Sequence, residues 1–143
     1  MYITKDVFTS RISSEFAFLK EIGFQEIGYN PASRGYSYYY STNQLTVRIH
    51  YSLTNDWLDV DFLFQPLDLS TIPNDENSIM LMTLLSYLGI HNHGEMMPKS
   101  VGFTESAKMV AEKVKSEAWD IITGKFKITA EEALKVINPN RFT

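Results

Sequence analysis

Cysteine is absent from the 143 residues. That excludes a disulfide framework, a thiolate nucleophile and any Cys-based zinc site, and it fits a reducing compartment. Long apolar runs are missing too. The longest, Ile79 to Leu88, is interrupted by Thr83 and Ser86 and falls well short of the ~20 residues that span a bilayer. The start, Met1 to Asp6, lacks the apolar core of a secretory signal; a cytoplasmic location and no membrane association are expected. There is no Gly-rich phosphate loop, no Ser nucleophile elbow and no His-Glu-x-x-His helix, so the chain carries no catalytic signature and no cofactor is expected. Basic residues are missing from a whole region. Between Arg48 and Lys99 there is no Lys or Arg, while seven acidic residues stand there (Asp56, Asp59, Asp61, Asp68, Asp75, Glu76, Glu95), a charge of −7 against +3 for the remainder. Phosphate recognition needs a basic stripe, so a nucleic-acid partner is not expected, whereas an acidic surface suits a basic protein partner.

The pattern that remains is strongest from Leu45 to Phe64. Leu45, Val47, Ile49, Tyr51 and Leu53 share one parity, and Leu58, Val60, Phe62 and Phe64 share the other, the period of two expected of half-buried strands. If both sets face one core, paired residues must have opposite parity. Pairing Leu53 with Leu58 leaves a four-residue loop, Thr54 to Trp57. That register sets Ser52 across from Asp59, His50 across from Asp61 and Arg48 across from Leu63 on the reverse face. Upstream, Asp6 to Ile22 reads as an amphipathic helix capped by Thr4 or Asp6 and ended by Gly23. Phe24 to Tyr29 reads as a strand, Asn30 to Gly35 as a loop and Tyr36 to Thr42 as a strand. With Thr42-Asn43 as a tight turn, Tyr40 pairs with Leu45; a longer loop is the alternative.

Downstream, Leu67 to Pro73 is a connection, and Asn74 or Asp75 opens a helix apolar on nearly every side that runs to Leu88. Ile90 to Gly102 is irregular. A helix follows from Phe103 or Thr104 to Ile121 with Gly124 behind it, and a last one opens on the capping box Thr129 to Glu132. The expectation is one α+β domain over residues 1–143: an N-terminal helix, a four-stranded antiparallel meander, then three helices on one sheet face, the other face open to water.

Two clusters invite chemistry. His91, His93 and Glu95 could ligate a metal with one position open, although Asn92 and Gly94 favour a surface turn carrying incidental histidines. Arg48, His50, Asp59 and Asp61, with Asp56 and Tyr39 beside them, form either an acid–base cluster or a cross-strand salt-bridge lattice.

The order of elements resembles small bacterial immunity-type proteins: a helix closing on Gly23-Phe24, a Tyr/Ser-rich strand, the Leu45 to Leu53 strand, then Leu58 to Phe62 and a helical second half. That resemblance implies a non-enzymatic antidote that blocks a toxin domain through an acidic surface. It rests on element order and size, so no functional residue carries over. The layout is also similar to acidic secretion chaperones, which bind an effector segment and are usually dimeric. A small enzyme or ligand-binding domain with a pocket near residues 90–102 is the reading from another class, and a homodimer is compatible with all of them.

Overall fold

A computed structural model describes residues 3–32, 34–54, 56–67, 78–87, 102–125, 131, 132 and 135. Its elements are α1 (Lys5–Glu15), α2 (Phe18–Glu21), β1 (Gln25–Ala32), β2 (Gly35–Ser41), β3 (Thr46–Ser52), β4 (Trp57–Leu63), β5 (Ser78–Met80), α3 (Leu81–Tyr87), α4 (Gly102–Glu117) and α5 (Trp119–Ile122). The strands form one antiparallel sheet in chain order, β1-β2-β3-β4-β5. The α+β class holds. The described residues form five strands where four were expected.

The extra strand comes from the run read as a single helix. Ser78–Met80 pairs with β4, Ile79 facing Phe62, and among the described residues of that run Leu81–Tyr87 is helical; the expected helix start at 74–77 and its end at 88 lie outside the described residues. An apolar run without clear periodicity cannot distinguish a fully buried strand from a buried helix. The edge of β4 decides the matter here, because it offers Ile79 ladder hydrogen bonds as well as burial.

The first helix also departs from its expected span. Thr4 caps it, its hydroxyl accepting from the Val7 amide at 3.2 Å, and it ends at Phe16. Phe8, Ile12, Phe16, Phe18 and Leu19 are all buried. At 3.6 residues per turn, Phe16 and Phe18 point nearly opposite ways, so a straight helix could not bury both; the break at Phe16-Ala17 turns Phe18 inward. Gly23, at φ +105°, closes α2 as expected, and the Phe24 amide reaches back to the Leu19 carbonyl at 2.9 Å. The helix expected over Phe103 to Ile121 breaks at Ala118 into α4 and α5. Gly124 follows with φ +79°. Of the last expected helix, Glu131, Glu132 and Lys135 are helical; the rest lies outside the described residues.

One sheet face and the helices share a single core. Tyr38, Tyr40, Val47, Ile49, Tyr51, Leu58, Val60 and Phe62 meet Phe8 and Ile12 of α1, Leu84 and Leu85 of α3, and Phe103, Ala107, Val110 and Val114 of α4. Phe103 bridges the layers, its ring 6.0 Å from Phe8 and 5.2 Å, edge-on, from Tyr51, an arrangement aromatic pairs favour.

The reverse face is not open to water, contrary to expectation. Ser37, Tyr39, Ser41, Thr46, Asp61 and Leu63 on that face are buried. Tyr39 and Leu63 add bulky apolar surface among the polar groups, so exposing this face would waste their burial. The chain leaving β4 forms part of the cover: the Thr46 hydroxyl donates to the Gln65 carbonyl at 2.9 Å, and the Leu67 amide donates to Ser41 Oγ at 3.0 Å. At the sheet's outer margin, β1 carries a bulge between Glu26 and Gly28 and contains Pro31, features that discourage addition of another strand. No helix among the described residues is long and apolar enough to cross a membrane.

Candidate functional site

Parity placed the right residues on the right faces, but both hairpins pair two residues away from the expected register. In the first, Ser41 faces Thr46 and Tyr40 faces Val47. The loop is four residues, Thr42 to Leu45, held by the Thr42 hydroxyl, which accepts from the Gln44 and Leu45 amides at 3.2 and 3.1 Å. Side-chain capture of loop amides is a habit of Thr and Ser in turns, and here it outweighs the two-residue alternative.

In the second hairpin Ser52 faces Trp57 and Tyr51 faces Leu58. Leu53, expected to pair with Leu58, instead donates its amide to the Arg34 carbonyl in the β1–β2 turn at 2.9 Å. Asp56 takes a left-handed conformation at φ +50°, one that Asp tolerates better than most residues, and its carboxylate accepts the Tyr51 hydroxyl. The register therefore corrects three pairings. Arg48 faces Asp61 rather than Leu63, His50 faces Asp59 rather than Asp61, and Ser52 faces Trp57 rather than Asp59.

These pairings build two polar rows on the reverse face. The inner row is Tyr39, Arg48 and Asp61. Arg48 Nε donates to Asp61 Oδ2 at 3.0 Å and its Nη2 donates to the same oxygen, with the two side chains only 13% and 9% exposed. A pair this enclosed is held by charge-assisted hydrogen bonds and cancels its own charge. The outer row is Ser37, His50 and Asp59. Ser37 Oγ lies 3.2 Å from His50 Nδ1, and Asp59 accepts the indole N–H of Trp57. Gly35 makes room for this packing: a Cβ there would lie 3.3 Å from His50 Cε1 and 2.1 Å from the Tyr51 carbonyl oxygen.

A Ser–His–Asp order invites comparison with an acyl-transfer triad. Ser37, however, is 2% exposed, which denies a substrate carbonyl access to its hydroxyl, and one Asp59 oxygen is occupied by Trp57. The row is a cross-strand polar lattice.

The expected site residues thus separate by exposure. Tyr39 and Asp61 are buried, Arg48, His50 and Asp59 are partly buried, and Asp56 is exposed. Asp56, Trp57 and Asp59 gather where β3 turns into β4, and the same sheet end carries the exposed Arg34, brought there by the β1–β2 turn. Trp57, assigned to the loop in the sequence reading, belongs to β4; it shares parity with Asp59 and Asp61, which was the signal available for finding it. His91, His93 and Glu95, and the expected pocket beside residues 90–102, lie outside the described residues. Among the described residues no group of three His, Asp or Glu side chains is placed to hold a metal ion.

No protein-family model, curated protein or solved structure matches this chain.

Proposed function

We propose that the protein is a non-enzymatic protein-binding module, of the immunity-inhibitor kind, that meets a basic partner through the acidic end of the β3–β4 hairpin. The supporting observation is how the carboxylates divide. Asp61 is neutralised inside the fold by Arg48, whereas Asp56 stands exposed at the hairpin end, oriented by a neutral phenol, the Tyr51 hydroxyl. A neutral donor fixes the carboxylate's direction without cancelling its charge. Trp57 and Asp59, which follow it in the chain on the reverse face of the same sheet end, add aromatic surface and a second carboxylate, and aromatic side chains are enriched at interface centres. Complementary charge of this kind chiefly raises the association rate and sets orientation.

Affinity capture from the native cell identifies the partner, and association rates are then measured across ionic strength. Asp56→Lys is expected to slow association about tenfold at low salt, the difference vanishing near 1 M, where the screening length is about 3 Å. Arg34→Ala, which removes a cation at this sheet end, is expected to speed it. Equal rates and equal salt slopes for the wild type and a folded Asp56→Lys protein would refute the proposal.

A further inference from the structure

We draw no further inference here: the strongest candidate, the Ser37–His50–Asp59 row crossing β2, β3 and β4 on the reverse sheet face, belongs to the site already described, and the burial of Ser37 keeps its hydroxyl from any substrate.

Discussion

Replacing Asp61 with Ala removes the carboxylate on which two Arg48 donors converge and leaves a guanidinium whose side chain is 13% exposed. Breaking a buried pair from one side costs about 3–5 kcal/mol, because the surviving charge loses the partner that offset its desolvation. The small residual exposure of both groups places the expected loss near the lower end, about 3 kcal/mol. With a urea m-value of about 2 kcal/mol/M, that loss shifts the midpoint by about 1.5 M. Arg48→Met strands Asp61 instead and is expected to cost a similar amount. The double replacement Arg48→Met/Asp61→Ala removes both charges of the pair together, so it should cost about 3 kcal/mol rather than about 6, a coupling of about 3 kcal/mol. Urea unfolding of the four proteins, followed by circular dichroism, measures the cycle. A loss below about 1 kcal/mol for Asp61→Ala, the size typical of exposed pairs, or strict additivity in the double mutant, would show that the pair is not the buried, self-cancelling unit described above.

Three further outcomes are expected. Gly35→Ala should cost about 3 kcal/mol, since its Cβ would sit 2.1 Å from the Tyr51 carbonyl oxygen and backbone cannot yield as a flexible side chain does; a thermal melt unchanged within ~0.5 kcal/mol would contradict the close approach of β2 and β3. Thr4→Ala should cost about 1 kcal/mol while Thr4→Ser retains most of the stability, and equal losses for both would rule out a capping role for the hydroxyl. In alkali, burial first and then the hydrogen bond to Glu26 push the Tyr38 phenol up to about 12, and burial raises Tyr40 and Tyr51 as well. A raised folded-state pKa means that the unfolded chain loses its proton first, so stability should hold up to about pH 10 and fall between about 10 and 12. Phenolate absorbance is the readout. All eight tyrosines ionising together near pH 10 in a protein that stays folded would be the contrary result.

For a candidate interface, the arrangement separates two roles that a sequence charge map merges. Seven acidic residues between 49 and 98 read as one acidic region. In the fold, Asp61 is turned inward against Arg48, a residue just outside that region, and Arg34, further upstream, arrives at the hairpin end through the β1–β2 turn. Under the proposed function, charge complementarity with a partner rests on Asp56 and Asp59 at this sheet end and not on Asp61.

Local pattern alone determined the faces of β2, β3 and β4, the stops at Gly23 and Gly124 and the buried stripe of α4, because alternation, left-handed glycine and helical spacing are properties of neighbouring residues; it narrowed the first cap to Thr4 or Asp6, and the fold chose Thr4. It could not determine register, since slipping a strand by two residues leaves every side chain on its correct face. That choice fell to contacts between turns, the Leu53 amide on the Arg34 carbonyl and the Thr42 hydroxyl on its own loop. It could not separate β5 from α3, as both readings bury Ile79 and the edge of β4 distinguishes them. Nor could it show that the reverse face is covered, or which carboxylates remain exposed, because burial is decided by elements distant in sequence. Arg48, His50, Asp59 and Asp61 were legible as a cluster, while their partners were set by the tertiary fold.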